Sequence, residues 1–273
     1  MAGSSSGQVG KTHEPGAVSS VYGPVRSWRV GMSLGVDPIC VSSICSFNCT
    51  YCQLGFIQVR VNERQVFVPT EKVMRDLCES RWREADIITV SGSGEPTLAA
   101  NLGEILVGLK AHTGKPILVL TNGTLLHLPE LREELNHADK VFIKLDAATE
   151  ETFRRINRPV AGVTLDGIIS AASLFRQSYR GFLGIQMMFT RVNLHEVPQF
   201  AALLNRLRPD EVQLNTPTRP YPETWVVQTR GSHDGVDYPA RPLKRVSREE
   251  AQAIESELRA LTGLNIISVY GDK

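Results

Sequence analysis

Six apolar, strand-like runs alternate with helix-like runs between Trp28 and Asn215, and this alternation narrows the fold more than any other feature of the 273-residue chain. The runs are "WRVGMSLG", "DIITVSG", "PILVLTNG", "KVFIKLD", "FLGIQMMFT" and "EVQLNTP". Strands separated by helical crossovers pair in parallel, which predicts an α/β fold. A closed barrel of this type needs eight strands. Six predict a partial (β/α)6 TIM-like barrel over residues 27–220, open along one side.

The flanking segments read differently. Residues 1–26 begin "MAGSSSGQVGKTHEPGAVSS", polar and without the apolar core of a signal peptide, and are expected to be disordered. Residues 221–273 form a C-terminal extension: a Pro/Gly-rich arm, a helix and one possible strand, "NIISVYG". Ser247 and Glu250 have the spacing of a capping box, and Gly263 suits the helix's end. The arm from Tyr221 to Arg245, carrying Trp225 and Tyr238, is a candidate lid over the open side, together with the last helix. "FIQVRVNERQVFVPT" has the alternation of a hairpin. Thr70 is placed to cap a helix whose apolar side holds Val73, Leu77, Cys78 and Trp82.

The charge of +1 leaves no strong electrostatic footprint for nucleic acid, and no apolar run is long enough to cross a membrane. Five cysteines, three of them within "CSFNCTYC", fit a metal site in a reducing cytoplasm better than a secreted disulfide framework. Cys45, Cys49 and Cys52 are one ligand short of a zinc site, and Cys40 is available as a fourth. Alternatively, three thiolates anchor three irons of a [4Fe-4S] cluster and leave the fourth iron open to a ligand that is not protein.

Polar residues gather where the strand patterns end. "SGSGEPTL" presents Ser93, Gly94 and Glu95; "LTNGTLL" presents Thr121 and Asn122; "IKLDAAT" places Lys144 and Asp146 opposite Ile143 and Leu145. Gln186 or Met188 and Asn215 are further candidates for the inner wall, with Met187 more readily core filler. Arg154, Arg155 and Arg158 read as a solvated helix face, and the six histidines have no ligand spacing.

The Cys45-x3-Cys49-x2-Cys52 triad, with Tyr51 before its last member and these motifs following in order, resembles the signature of radical S-adenosylmethionine enzymes. "SLG…CSFNCTYCQLG", "KLDAATEETFRRINRP" and "QLNTPTRP" look like a branch related to the enzymes forming the wyosine base of tRNA. Those enzymes bind a second cluster through cysteines upstream of the triad, where this chain has only Cys40. The resemblance implies a [4Fe-4S] cluster on Cys45, Cys49 and Cys52, with S-adenosylmethionine on the open iron. It implies that Tyr51 packs beside the cluster and that Ser93, Gly94 and Glu95 hold the methionine amine. Lys144 and Asp146 would lie near the ribose or carboxylate. Reductive cleavage would then give a 5′-deoxyadenosyl radical that abstracts hydrogen from a substrate. A flavodoxin or ferredoxin is the expected electron donor, and a tRNA, a peptide or a partner enzyme the expected macromolecular substrate. A glycyl-radical activating enzyme and a non-catalytic iron–sulfur electron carrier are the alternatives.

Overall fold

The computed structural model describes residues 18–40, 42–224 and 239–270. Its centre is one eight-stranded sheet in sequential order. The strands are β1 (Val21–Ser27), β2 (Gly31–Val36), β3 (Ile87–Val90), β4 (Ile117–Thr121), β5 (Lys140–Lys144), β6 (Phe182–Met188), β7 (Glu211–Asn215) and β8 (Ile266–Ser268). From β2 to β8 every pairing is parallel. The helices are α1 (Thr70–Glu79), α2 (Leu102–Thr113), α3 (Pro129–Leu135), α4 (Glu150–Ile156), α5 (Leu165–Ser178), α6 (Val197–Leu207) and α7 (Arg248–Thr262). The sheet curls into a half-barrel whose end strands, β1 and β8, are not hydrogen-bonded to each other. The expected partial barrel is therefore present, with six parallel strands where the sequence places them.

Strand alternation explains the layering. Leu34, Ile88, Val90, Val119, Val141, Ile143, Ile185, Met187, Val212 and Leu214 are buried in the main core. The alternate positions face inward. At the base, Ile87, Leu118 and Phe142 form a small apolar plug with Val30, Leu120 and Phe182. Phe142 lies across Gly184, where a Cβ would come within 2.0 Å of its ring. Further along the strands the inward positions become Thr89, Lys144, Gln186 and Gln213. One end of the barrel is thus sealed and the other is polar, which fixes where a site can lie.

Both ends of the chain correct the sequence reading. Residues 21–26, expected within a disordered lead-in, form β1 together with Ser27 and run antiparallel to β2, with Val21 opposite Val36 and Ser27 opposite Gly31. Pro24 obscures the strand pattern, but an edge strand tolerates its missing donor. Tyr22 bends into the barrel over Gly35, and its hydroxyl lies 3.1 Å from Ser91 Oγ. At the other end, α7 is the crossover from β7 to β8, so the last helix and strand add one more βα unit to the sheet. The capping box is formed: Glu250 N–H donates to Ser247 Oγ at 3.1 Å and Ser247 N–H to Glu250 Oε2 at 2.8 Å. Gly263 takes the left-handed stop at φ 66°. Of the arm, Tyr221–Pro222 pairs with Ala240–Arg241, while 225–238, including Trp225 and Tyr238, lie outside the described residues.

The expected hairpin is replaced by two residues, Val59–Arg60, which run parallel to Ile44–Cys45. This stretch is tied to the cysteine loop instead of to itself. Pro69, not Thr70, stands at the N-cap of α1; the Thr70 hydroxyl donates to Glu104 Oε2 at 2.9 Å. The helix ends at Glu79, and Trp82 belongs to a separate 3-10 turn. Cys78, expected in the core, is exposed, because it sits about 100° around the helix from buried Leu77.

Candidate active site: a three-thiol loop at the barrel mouth

The loop after β2 is built on three backbone anchors. At its entry, the buried Asp37 carboxylate accepts from Ile39 N–H at 3.0 Å, Cys40 N–H at 2.9 Å and Ser93 Oγ at 2.6 Å. Next, Ile44 slots against the end of β3: its N–H donates to the Ser93 carbonyl at 2.9 Å, and Glu95 N–H donates to the Ile44 carbonyl at 3.0 Å. A Cβ on residue 94 would lie 1.7 Å from the Ile44 oxygen, so only glycine fits. Finally, Asn48 and Thr50 N–H donate to the Asn157 and Ile156 carbonyls, each at 2.9 Å, using acceptors that the end of α4 leaves free. Cys49 is held between these last two bonds.

Cys45, Cys49 and Cys52 are free, half-buried thiols. Burial pushes Cys45 well above the ordinary thiol range, with Glu95 adding to it. Burial and then Asp146 push Cys49 up to about 12, and burial also raises Cys52. N–H donors nevertheless point at the sulfurs: Phe47 N at 3.3 Å and Asn122 Nδ2 at 3.6 Å from Cys45, and Asn157 Nδ2 at 3.4 Å from Cys49. Such donors favour a thiolate, and bound metal displaces the protons that burial retains. The alternative with Cys40 as a fourth zinc ligand does not fit. Cys40 is buried, and its sulfur is turned toward the Val18 and Ser19 carbonyls at 3.7 and 3.6 Å. Among the described residues no three Cys, His, Asp or Glu side chains converge on a single ion. A tetrahedral zinc would require sulfurs about 3.8 Å apart. Three thiols on one loop, with no fourth protein ligand among the described residues, suit three corners of a cluster.

Two buried carboxylates organise the surroundings. Glu95 Oε1 accepts from Thr97 N–H at 3.1 Å, Thr97 Oγ1 at 2.7 Å and Thr121 Oγ1 at 2.6 Å; Oε2 accepts from Asn122 N–H at 2.7 Å. Burial raises its pKa while those donors pull it back. Asp146 accepts from Tyr51 OH, from Asn157 Nδ2 at 2.9 Å and from Met188 N–H at 2.8 Å, and pairs with Lys144 Nζ at 3.0 Å. Lys144 Nζ also lies 5.3 Å from the centre of the Tyr51 ring. Burial, then Asp146, raises the Tyr51 hydroxyl well above its usual range.

The structure brings the site residues expected from sequence together at the barrel mouth. Ser93 turns its hydroxyl to Asp37, and the bare face of Gly94 is taken up by Ile44. Both therefore shape the cysteine loop. Glu95 ties the ends of β3 and β4, and Oε2 keeps one acceptor position beyond its bond to Asn122. Asn122 reaches Cys45 directly and donates to Ser46 Oγ at 2.8 Å. Lys144 and Asp146, which the alternation places on one face, form an ion pair. Met187 is core; Gln186 lines the barrel cavity; Met188 and Asn215 line a mouth cavity of about 540 Å³ together with Tyr51 and Cys52. Arg154 and Arg155 are solvated, pairing with Glu150 and Glu151. Arg158 is not on that face: at φ 48° it reverses the chain, and its carbonyl accepts from Arg60. Asn157, buried beside it and touching both Cys49 and Asp146, escaped the sequence reading, since one asparagine at a helix end carries no periodic signal.

In Glu95→Gln, an amide NH2 would face one of these N–H or O–H donors. The expected result is a loss of about 1–3 kcal/mol in urea unfolding, with weaker S-adenosylmethionine binding measured by calorimetry. Unchanged stability and affinity would remove Glu95 from both roles.

Similarity to known proteins agrees with this geometry. A UPF0026 protein of Synechocystis sp. is 46% identical over 245 residues, covering 89% of this chain and 92% of its own. The structure of TYW1 with a lysine-pyruvate adduct, an enzyme of the wyosine pathway, matches with a TM-score of 0.62 at 16% identity, covering 88% of this chain and 78% of that one. The structure of native anSMEcpe with bound AdoMet matches at 0.60 and 19% identity, covering 87% of this chain and 64% of that one. Residues 39–204, from the cysteine loop through most of α6, match the model of the Radical SAM superfamily. The chain belongs to that superfamily, whose enzymes hold a [4Fe-4S] cluster and S-adenosylmethionine.

Proposed function

We propose that Cys45, Cys49 and Cys52 hold a [4Fe-4S] cluster whose open iron takes S-adenosylmethionine, and that the enzyme uses the pair to start hydrogen abstraction from a bulky substrate. When bound, the two cofactors supply a one-electron cleavage that yields methionine and a 5′-deoxyadenosyl radical. The protein's own residues bind, orient and shield. The Asn157 and Asn122 amides support the sulfurs of Cys49 and Cys45. The Asp146 carboxylate fixes Tyr51 beside the thiols, and Lys144 offers its remaining donors to an anionic part of the cofactor. Glu95 Oε2 offers an acceptor for an ammonium.

The carrying observation is the mouth cavity of about 540 Å³, which has Cys52 and Tyr51 in its wall and polar strand ends around it. An electron carrier has no use for such a space. A macromolecular substrate is favoured by the gap of about 960 Å³ between the two ends of the sheet, lined by Arg26 and Trp28 on one side and Glu255, Arg259 and Tyr270 on the other. A radical site reached from the side accepts a substrate too large for the mouth. We place the protein in the cytoplasm, where its thiols stay reduced and a flavodoxin or ferredoxin supplies the electron. Among the described residues no helix is long and apolar enough to cross a membrane.

Anaerobic reconstitution with iron and sulfide, followed by S-adenosylmethionine and dithionite, is expected to yield 5′-deoxyadenosine. A fully loaded cluster that never forms 5′-deoxyadenosine would return the protein to the carrier class.

A further inference from the structure

Two adjoining cavities lie inside the barrel, the inner one reaching down to Leu118 and Leu120 of the apolar plug. One, about 510 Å³, reaches inward past Ser33, Thr89, Ser91, Gln186 and Gln213; the other, about 540 Å³, opens beside Cys52. Arg26, Arg29 and Arg219 line both, and among the described residues no Asp or Glu side chain lines either. The nearest acid on β7, Glu211, accepts from Gln213 Nε2 at 2.8 Å. Three cations in a wall otherwise of neutral residues, apolar Val30, Leu118 and Leu120 among them, give the space a positive potential suited to an anion.

Arg29 makes the case specific. It sits in the turn between β1 and β2, with its guanidinium 4.6 Å from the centre of the Trp28 ring. Its Nε is buried and has no hydrogen-bond partner among the described residues. Burial, then the charge of Arg219, lowers the Arg29 pKa to about 10. Arginine is the side chain least able to shed its proton, so a fold that buries one and brings a second toward it incurs both desolvation and repulsion. An oxyanion bridging them would relieve both, and the planar guanidinium fork matches a phosphate or a carboxylate in two-point contact. No cysteine lines the inner cavity, nor does Tyr51, so the basic wall continues beyond the place assigned to the cluster.

We propose that Arg29 and Arg219 form an anion-binding subsite, and that the group acted on belongs to a substrate bearing a phosphate or a carboxylate, which these arginines hold next to the thiol loop. That it is the substrate's anion rests on the function proposed above; the subsite itself does not, and it is tested by binding without turnover. Cluster-loaded protein, kept anaerobic, is titrated by calorimetry with inorganic pyrophosphate and, separately, with succinate, against a chloride background. Saturable binding of one of them is expected, pyrophosphate marking a phosphate-bearing substrate and succinate a carboxylate. Arg29→Met and Arg219→Met should each weaken that binding by about tenfold or more, with Arg29→Lys falling between because it keeps charge but not the fork. Iron content and S-adenosylmethionine affinity should stay as in the parent, which also reports that the variants are folded. Arg219, on an exposed loop, provides a variant with little bearing on folding. The proposal is overturned if neither anion saturates or if both Met variants bind like the parent. It is equally overturned if S-adenosylmethionine affinity falls in step with anion affinity, since the arginines would then hold that cofactor's own carboxylate. Absence of 5′-deoxyadenosine would count against the proposed function and leave the anion result standing.

Discussion

Cys49→Ala is expected to bring bound iron to background and to abolish 5′-deoxyadenosine formation, while Cys40→Ala keeps both. Cys49 sits between the Asn48 and Thr50 N–H anchors on the end of α4, with the Asn157 amide on its sulfur, so no neighbouring thiol can move into its place. The cluster must keep one iron free, and losing a thiolate from a set of three leaves too few to hold it. Cys40 faces away, toward two backbone carbonyls, and its replacement removes one buried sulfur at a cost of about 1 kcal/mol. Iron analysis and absorbance after anaerobic reconstitution check both variants. Normal iron in Cys49→Ala would sink the assignment, and loss of iron in Cys40→Ala would indicate a four-thiolate centre.

Asp146→Ala is expected to be the most destabilising single change in the barrel mouth. Its side chain is fully buried, and it gathers Lys144, Tyr51, Asn157 and the Met188 N–H from four different segments. Removing one partner of a buried ion pair costs about 3–5 kcal/mol, because the other charge loses its solvation and gains nothing. Lys144 is 24% exposed and recovers part of that through water, so about 3 kcal/mol is the expected loss in urea unfolding. Asn157 and Tyr51 would also lose what orients them beside Cys49. Outer-shell changes of this kind weaken metal retention by about 10–100-fold, which a chelator competition reads directly. Parent-like stability together with parent-like chelator resistance would show that Asp146 organises nothing.

The barrel was legible in the sequence because its signals are local. Continuous apolar strands such as "DIITV" and helices such as "LGEILVGLKAH" each announce themselves over a few residues, and parallel pairing follows from their order. Period two also put Lys144 and Asp146 on one face before any contact was known, and the 3.0 Å ion pair agrees. The hairpin failed for the same reason that alternation succeeds elsewhere. Alternation reports that a segment is extended, but the partner of Val59–Arg60 is Ile44–Cys45, which no local pattern names. β1 was hidden by Pro24 and by its place at the edge.

For the site, the sequence by itself determined the chemistry: three thiols at a spacing that leaves one ligand position to fill, followed by polar residues at successive strand ends. Which of those residues face a ligand and which hold the loop was decided by tertiary structure. Gly94 admits Ile44, Ser93 anchors Asp37, and Asn157 reaches a cysteine 108 positions earlier. The arginines of the barrel cavity likewise come from opposite ends of the sheet, Arg29 before β2 and Arg219 after β7. Spacing along a chain encodes what one loop or one strand can present. The pairing of a donor with an acceptor far away in the chain exists only once the curled sheet has brought the strand ends to a common mouth.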